Sequence, residues 1–356
     1  MATNRVVLVE DSPVALEILQ RLLNSSPDVD VVGTARDGVE GLEVINRTRP
    51  DVICTDLLME NMDGLELTKR VMAEDPRPIL VISNFVQKAD VDNVFRLLQA
   101  GAADVFPKPT TDSPTDYEKL KAALVTKIKV LANMKVTAKR PGQSVSTSTK
   151  PMTSGAFSGN QVQMTNVSSR VKAIAIGAST GGLQAIQKIV CQLPANFPLP
   201  IICTVHLSTG VLSGLVNWLS SECPLQVKIA EIGESPLPGT VYFAPEKSNL
   251  ELNAQGNFIY TNCPETDKHC PSISAMFKSI AKFYGRATAG VLLTGIGSDG
   301  AEGLQAIAQA GGITVGQEEK GGAFGMVKEA MGLNAVQHTL GIEKIAGFLL
   351  KTISGS

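Results

Sequence analysis

Five polar side chains stand at the ends of short apolar runs in the first third of this 356-residue sequence. Glu10 and Asp11 close the first run, and Asp56 closes the third. Ser83 and Lys108 close the fourth and the fifth. Carboxylate oxygens are the ligands that suit Mg²⁺. An acidic nucleophile, a divalent cation, a hydroxyl and an ammonium group together predict a site for phosphoryl transfer.

A second group of residues has the types that a hydrolytic triad needs. The sequence "GASTGG" at 177–182 follows an apolar run, and its glycines allow a tight strand-to-helix turn that exposes Ser179. The helix start after this turn offers backbone N–H groups to a developing oxyanion. His206 ends the next strongly apolar run, and Asp299 follows a later one. We predict that His206 accepts the Ser179 proton and that Asp299 fixes the imidazole tautomer.

Two other assignments remain open for these residues. His338 in place of His206 would give the chain order Ser, Asp, His of the α/β-hydrolases, but no clear apolar run precedes it. The sequence "GIGSDG" at 295–300 matches the glycine pattern of a dinucleotide-binding turn, with Glu318 as the acid for a ribose hydroxyl. A negative charge on Asp299 beside a pyrophosphate and the few residues after the turn disfavour the second assignment.

The elements that must position the first group form an alternating pattern. Apolar runs typical of strands alternate with helical periodicity, for example at 14–24 and 39–47. The five strand candidates are 6–10, 29–34, 52–55, 79–83 and 104–106. This pattern predicts a doubly wound α/β domain with a parallel sheet, whose function collects at the carboxyl ends of the strands.

A change in composition separates this domain from a second one. Residues 133–169 are rich in Lys, Thr, Ser, Gly, Gln and Pro and bury too little apolar surface to fold, so we predict a flexible linker. From residue 170 a second α/β pattern begins, with further strand candidates at 201–205, 240–244, 289–294 and 312–315. We predict domains at 1–132 and 170–356, both α/β with doubly wound parallel sheets.

The bulk properties exclude several functional classes. A net charge of −2 disfavours a nucleic-acid partner, and no apolar segment is long enough for a membrane span. The first residues show no signal-peptide pattern, so we expect a cytoplasmic protein. The six cysteines form no CxxC pair and are expected to be core or loop residues. Cys263, His269 and Cys270 lack the spacing and the fourth ligand of a metal site.

The first domain resembles the receiver family of two-component signalling. The resemblance rests on "VEDS" at 9–12, "TDLLMENMDG" at 55–64, "VISN" at 81–84 and "GAADVFPKP" at 101–109. It implies a flavodoxin-like fold in which Asp56 accepts phosphate from a histidine kinase and Glu10 and Asp11 hold Mg²⁺ beside it. It also implies that Ser83 and Lys108 contact the phosphoryl group.

The second domain resembles the chemotaxis protein-glutamate methylesterase (CheB) family, which joins a receiver to a Rossmann-like catalytic domain. The motifs are "AIGASTGG", "FPLPIICTVH", "APEKSNL", "PSIS", "VLLTGIGSDGAEGL" and "FGM". The resemblance implies hydrolysis of glutamate methyl esters on the cytoplasmic helices of chemoreceptors, and deamidation of some receptor glutamines. It assigns Ser179, His206 and Asp299 as the triad, and Thr180 and Ile296 to the oxyanion region. No cofactor is implied for the esterase.

Several positions depart from the family patterns. Val105 stands where receivers usually have a switching Tyr or Phe, and Glu60 where proline usually follows methionine. Cys270 and Ser274 replace an arginine and an aspartate, and Val327 replaces a proline. We expect the last three to flank the cleft rather than the triad. A binding module that has lost turnover is the alternative function.

The two halves must also work together. We expect the unphosphorylated receiver to pack over the Ser179 cleft and block access to it. Phosphorylation of Asp56 adds about −1.5 to −2 charges and is expected to weaken that interface.

Overall fold

Two parallel β-sheets organise the protein in a computed structural model, which describes residues 3–83, 88–109, 114–134, 136, 171–264, 269–318 and 325–354. The predicted linker at 133–169 lies almost entirely outside the described residues. The predicted fold class, α/β with two parallel sheets, is confirmed.

The N-terminal domain is built on five strands flanked by helices. The strands are β1 (Asn4–Val9), β2 (Val29–Ala35), β3 (Val52–Thr55), β4 (Ile79–Ser83) and β5 (Asp104–Pro107). The helices are α1 (Pro13–Asn24), α2 (Gly38–Thr48), α3 (Gly64–Glu74), α4 (Lys88–Ala100) and α5 (Pro114–Leu131). The strands pair in parallel in the order β2-β1-β3-β4-β5, which is the order of flavodoxin-like folds. All five strand predictions are confirmed to within two residues at each end.

The C-terminal domain carries a larger sheet and a separate hairpin. Its strands are β6 (Ala173–Ala178), β7 (Ile201–Val205), β8 (Gln226–Ile229), β9 (Thr240–Phe243), β10 (Asn249–Leu252), β11 (Phe258–Thr261), β12 (Thr288–Leu292), β13 (Ile313–Gln317) and β14 (His338–Leu340). Its helices are α6 (Gly182–Val190), α7 (Leu212–Glu222), α8 (Ile273–Tyr284), α9 (Ala301–Gln309), α10 (Met326–Gly332) and α11 (Ile342–Ser354). Strands β10 and β11 form the antiparallel hairpin.

The order of the seven parallel strands determines where a site can form. The order is β14-β13-β12-β6-β7-β9-β8, so β6 lies between β7 and β12. After β6 the chain adds β7, β8 and β9 toward one edge of the sheet, and it then returns to pair β12 with the opposite side of β6. Ligands of open α/β sheets bind at such a reversal, outside the carboxyl ends of the strands. All six residues of β6 are buried, which fixes this central strand within the core.

Four strands of the C-terminal domain were not predicted from the sequence. Strands β8 and β14 are the two edges of the sheet, and most of their residues are exposed or half-buried. Strands β10 and β11 each have four residues. Short strands with polar, partly exposed residues lack the continuous apolar run that identifies a buried strand.

The cysteines divide into two kinds. Cys54 and Cys203 are buried thiols, as expected for small apolar residues. Disulfides join Cys191 to Cys223 and Cys263 to Cys270, and neither was expected. The sequence gives no connectivity signal for such pairs, because their members are brought together by tertiary structure. Among the described residues, no helix has the length and apolar character needed to cross a bilayer.

Candidate active site

Ser179 stands immediately after β6, in the turn that leads into α6. Its backbone N–H donates to the carbonyl of Thr294 at 3.0 Å, and the N–H of Gly182 donates to the carbonyl of Ser179 at 2.8 Å. Gly181 precedes the helix with a φ of +74°, a conformation that glycine adopts without a steric cost. The predicted strand-to-helix turn is therefore present, and it leaves Ser179 half-buried at the carboxyl edge of the sheet.

His206 follows the neighbouring strand β7 and reaches Ser179. The backbone N–H of His206 donates to the carbonyl of Ala178 at 3.1 Å, which continues the pairing of β6 with β7 by one residue. The side chain then lies across the Ser179 turn, with Nδ1 3.2 Å from Oγ of Ser179. Parallel neighbouring strands bring these two residues together although 27 positions separate them in the sequence.

Asp299 contacts the other ring nitrogen of His206. Its Oδ2 lies 2.9 Å from Nε2, and both side chains are about nine-tenths buried. Burial alone would raise the pKa of Asp299, but hydrogen bonds from His206 and from the N–H groups of Ser274 and Ile273 lower it below its ordinary value. An ionised Asp299 favours the tautomer with hydrogen on Nε2, which leaves the Nδ1 lone pair facing the Ser179 hydroxyl.

The first turn of α8 holds Asp299 in place. Its carboxylate accepts from the Ser272 hydroxyl at 3.1 Å and from the N–H groups of Ile273 and Ser274 at 2.7 and 2.9 Å. These groups belong to the motif "PSIS", and its first serine, Ser272, caps the helix. A serine followed by an apolar helical pattern is a helix-start signal, but only the fold shows that this helix start faces Asp299.

One expectation about the departures from the family pattern is wrong. Ser274 contacts a residue of the predicted triad, because its N–H donates to Asp299, and its Oγ accepts from the N–H of Gly300 at 2.7 Å. Sequence spacing does not indicate this contact, since positions 274 and 299 are 25 residues apart. Val327, by contrast, is buried in the core.

The predicted oxyanion residues lie on both sides of Ser179. Thr180 is buried directly after it, two residues before α6 begins. Ile296 is half-buried in the turn after β12, next to Gly295. A Cβ on Gly295 would lie 2.6 Å from Cβ of Ser179, so only glycine allows this turn to approach the serine.

The two alternative assignments are not supported by the geometry. His338 is the exposed first residue of edge strand β14, which lies three strands away from β6. That separation is about 14 Å at the usual strand spacing. In the proposed dinucleotide turn, the carboxylate of Asp299 already accepts the N–H groups at the start of α8 and of Gly300. A phosphate would meet a negative charge at that position.

The N-terminal domain brings its predicted residues together at one edge of the sheet. Nζ of Lys108 donates to Oδ2 of Asp56 at 2.6 Å and to Oε1 of Glu10 at 2.8 Å. Asp56 also accepts from the N–H of Leu57 at 2.6 Å. Burial raises the pKa of Asp56 and of Glu10, and the contacts with Lys108 oppose this effect.

An acidic cluster at this edge fits a metal ion. Ligand atoms of Glu10, Asp11 and Asp56 lie within 4.8 Å of one another. Oε2 of Glu10 is buried and has no hydrogen-bond partner, so one strong acceptor of the cluster is unsatisfied. A hard cation would satisfy that oxygen and offset the charge of the buried carboxylates. Ser83 is buried at the end of β4, beside β5.

The N-terminal domain covers one side of the Ser179 turn. Oδ2 of Asp104, at the start of β5, accepts from the N–H of Gly181 at 3.3 Å. The side chain of Met134, three residues after the end of α5, also packs against Gly181, where an added Cβ would lie 3.2 Å from the methionine Cε. Nε2 of Gln184 in α6 donates to the carbonyl of Ala102.

A second set of contacts joins α4 to α7. The rings of Phe95 and Trp218 stack with their centroids 5.4 Å apart. Gln99 donates to Glu222 at 2.8 Å. The contact surface between the two domains therefore extends from α4 through the start of β5 to the turn that carries the serine. The expected packing of the first domain against the Ser179 region is present.

A small cleft of about 40 Å³ opens beside the end of β7. Apolar side chains of β7 and of the following loop line it together with Glu246, Lys247 and Cys270. Oε1 of Glu246 accepts from the N–H groups of Gly210 and Leu212, so this carboxylate fixes the loop after His206.

Comparisons with known families match both halves of the chain. A model of the CheB methylesterase family matches residues 174–349. A model of the response regulator receiver domain matches residues 6–118.

Curated relatives are similar over the whole length. A protein-glutamate methylesterase/protein-glutamine glutaminase from Syntrophus aciditrophicus is 38% identical over 353 residues, with 99% of each chain covered. One from Nitrosospira multiformis is 35% identical, with 98% of this chain and 97% of the relative covered. Among solved structures, the CheB methylesterase catalytic domain of Thermotoga maritima is 33% identical, with a TM-score of 0.49. It covers 52% of this chain, and 99% of its own length is matched.

Proposed function

Because the chain belongs to the family of receiver-linked protein-glutamate methylesterases/protein-glutamine glutaminases, we propose that it demethylates chemoreceptors under the control of phosphorylation. Its substrates are glutamate methyl esters on the cytoplasmic helices of the receptors, and receptor glutamines are deamidated at the same site. The names of the relatives support both reactions. The observation that carries the proposal is the chain of contacts from Oγ of Ser179 through His206 to Asp299.

Ser179 is the nucleophile of the proposed reaction. Its Oγ attacks the ester carbonyl carbon while its proton passes to Nδ1 of His206, 3.2 Å away. Asp299 stays ionised and stabilises the imidazolium through Nε2. Nδ1 then returns the proton to the departing methoxy group, which leaves as methanol and leaves the glutamyl group esterified to Ser179. Water attacks this ester with His206 as the base, and the reaction releases glutamate and free Ser179.

The oxyanion is stabilised by backbone groups in this proposal. The N–H of Thr180 lies two residues before the start of α6, where the positive end of the helix dipole favours negative charge. The turn at Ile296 faces the same serine from the side of β12, since Gly295 packs directly against Ser179. With a glutamine substrate the same steps release ammonia instead of methanol.

Asp56 is the proposed phosphate acceptor, and a chemotaxis histidine kinase is the proposed donor. Glu10, Asp11 and Asp56 would hold Mg²⁺, which when bound neutralises charge on the phosphoryl oxygens. Ser83 and Lys108 would contact the phosphoryl group, and the present ion pairs of Lys108 with Asp56 and Glu10 support this role. No cofactor is proposed for the esterase.

The strand β5 couples the two sites. Lys108 follows its carboxyl end, and Asp104 at its amino end contacts Gly181. A phosphoryl group on Asp56 would bind Lys108 in place of the carboxylates of Asp56 and Glu10. We propose that the resulting shift of β5 weakens the contact between the domains. A bulky receptor helix then reaches the Ser179 cleft.

The experiment that tests this function measures methanol release from methylated receptor membranes with and without a small phosphodonor. The parent protein is expected to be stimulated, and Asp56→Ala is expected to keep only basal release. Equal stimulation of both proteins would contradict the phosphorylation control. A receiver-controlled binding module is the second candidate, and it would bind the receptors without releasing methanol.

The domain limits and the cellular site of action complete the proposal. We propose a receiver domain at 1–132, a flexible linker at 133–169 and a catalytic domain at 170–356. The matched ranges 6–118 and 174–349 support these limits. The proposed site of action is the cytoplasm, where the substrate segments of such receptors lie.

A further inference from the structure

A second histidine covers the face of the catalytic imidazole. The rings of His269 and His206 are stacked, with their centroids 4.1 Å apart and their planes within 8° of parallel. Both edge nitrogens of His206 are engaged, Nδ1 with Ser179 and Nε2 with Asp299. His269 therefore contacts a face of this ring, whereas Ser179 and Asp299 contact its edge.

Covalent and hydrogen-bonded constraints hold the residues next to His269. The adjacent Cys270 is bonded to Cys263, with the two Cα atoms 5.8 Å apart. Two residues after Cys270, the N–H of Ser272 donates to the buried side chain of Asn249 at 2.7 Å. The short segment from Cys270 to Ser274 thus carries His269 at one end and holds Asp299 at the other.

We propose that His269 is a positioning residue for His206, and that the Cys263–Cys270 disulfide makes this positioning sensitive to dithiols. The proposal rests on the proposed function of the triad. A flat ring parallel to the imidazole resists rotation of His206 about its Cβ–Cγ bond. That rotation would carry Nδ1 away from Oγ of Ser179, and small misplacements of a catalytic group slow a reaction strongly.

The disulfide has the exposure that reversible reduction needs. Cys270 is exposed and lines the cleft beside β7, and exposed disulfides are the labile ones. The other two thiols of the chain are fully buried, and burial raises the pKa of Cys54 to about 12 and that of Cys203 as well. They do not compete in exchange reactions.

The redox step is an ordinary thiol–disulfide exchange. A thiolate of a small dithiol attacks Sγ of Cys270, the Cys263–Cys270 bond breaks, and Cys263 leaves as a thiolate that takes up a proton. The second thiol of the reagent then displaces Cys270 and closes a cyclic disulfide. The two protein cysteines gain two electrons and two protons, and the dithiol loses them.

The first arm of the experiment measures kcat and KM for methanol release by the phosphorylated full-length protein and two variants. His269→Ala is expected to lower kcat about tenfold with little change in KM, because only the geometry of the proton transfer is altered. His269→Phe keeps a flat ring and is expected to stay within about threefold of the parent. A kcat of His269→Ala equal to that of the parent, or equal losses in both variants, would overturn the positioning role.

The second arm repeats the assay after treatment with dithiothreitol. The parent is expected to lose about half or more of its kcat, and re-oxidation is expected to restore it. The double variant Cys263→Ser/Cys270→Ser should already show the reduced rate and should not respond. Cys191→Ser/Cys223→Ser removes the other disulfide and should respond as the parent does. No response of the parent, or the same response in both double variants, would overturn the redox half of the proposal.

A third arm does not depend on turnover. The chain has three histidines, so histidine-specific isotope labelling gives three imidazole signals in NMR spectra. The His206 signal is expected to lose its ring-current shift in His269→Ala and to move on reduction of the parent. A His206 signal that is unchanged in both cases would refute the stacking interaction. If the parent releases no methanol, the proposed function fails, and this arm still decides the inference.

Discussion

Asp104 of the N-terminal domain accepts a hydrogen bond from the backbone N–H of Gly181, two residues after Ser179, at 3.3 Å. The same carboxylate pairs with Lys127 at 2.6 Å, so it is fixed within its own domain while it contacts the other. The amino end of α6, where the helix dipole is positive, is suited to hold an anion. A carboxylate of the receiver domain therefore lies at the amino end of α6, next to the proposed oxyanion residue Thr180.

Removal of this carboxylate should release part of the inhibition. Asp104→Ala is expected to raise basal methanol release of the unphosphorylated protein about threefold to tenfold, because a charge-assisted contact between the domains is lost. The control is Asp28→Ala, which removes a more exposed ion pair of the same domain, to Lys129 of α5 at 2.7 Å. Equal basal rates in the two variants would show that Asp104 does not stabilise the closed arrangement.

The acidic cluster should respond to Mg²⁺ in a thermal unfolding experiment. Added Mg²⁺ is expected to raise the Tm of the parent, because an ion that binds only the folded state stabilises it. Asp11→Asn and Asp56→Asn should lose this response, whereas Ser83→Ala should keep it. A Tm of Asp11→Asn that rises with Mg²⁺ as much as that of the parent would argue against the assigned ligands.

Without metal, Asp56→Asn should itself stabilise the receiver at neutral pH. Burial raises the pKa of Asp56, so keeping it ionised costs free energy that grows as the pH rises through the folded pKa. The free energy of unfolding of Asp56→Asn is expected to exceed that of the parent at pH 7, and this difference should vanish at low pH. Urea unfolding of the two proteins across this pH range gives the comparison. A less stable Asp56→Asn at pH 7 would contradict the cause assigned to the pKa shift.

Asp299 should show the opposite dependence on pH. Its pKa is lowered in the folded protein, so its stabilising contribution is complete above the unfolded pKa of about 4 and is lost at lower pH. Asp299→Asn is expected to lower the free energy of unfolding by about 2 kcal/mol at pH 7, with a smaller deficit at pH 3.5. The exposed Asp30→Asn serves as the control. A deficit that grows on acidification would contradict the assigned shift.

A comparison of two alanine variants distinguishes His206 from His338 as the base. His206→Ala is expected to reduce methanol release by several orders of magnitude, because Ser179 loses its base. His338→Ala is expected to leave the rate within about twofold, since His338 packs against Phe348 at the edge strand. Loss of activity in His338→Ala alone would transfer the role of base to that residue.

Much of the fold follows from local sequence pattern. Strands such as β4 and β6 are fully buried and read as unbroken apolar runs, so their positions were predictable. The meeting of Ser179 with His206 also follows, because both residues end neighbouring parallel strands. Because ligands of open α/β sheets bind at the carboxyl ends of the strands, the sequence alone predicts that these residues share one site.

The remaining features depend on tertiary contacts that the pattern does not contain. His269 lies in a loop, and nothing in its local sequence indicates that its ring stacks on His206. Ser274 looks like an ordinary residue of the first helical turn, but the fold turns its N–H toward Asp299. The contact of Asp104 with Gly181 joins two domains whose relative placement the sequence does not specify.

The most direct test of the triad compares methanol release by the phosphorylated parent and phosphorylated Ser179→Ala. The variant lacks only the hydroxyl that His206 contacts at 3.2 Å, and it should fold and accept phosphate as the parent does. The expected result is a fall in kcat of roughly a thousandfold or more. A rate for Ser179→Ala within tenfold of the parent would show that the ester is cleaved by another nucleophile.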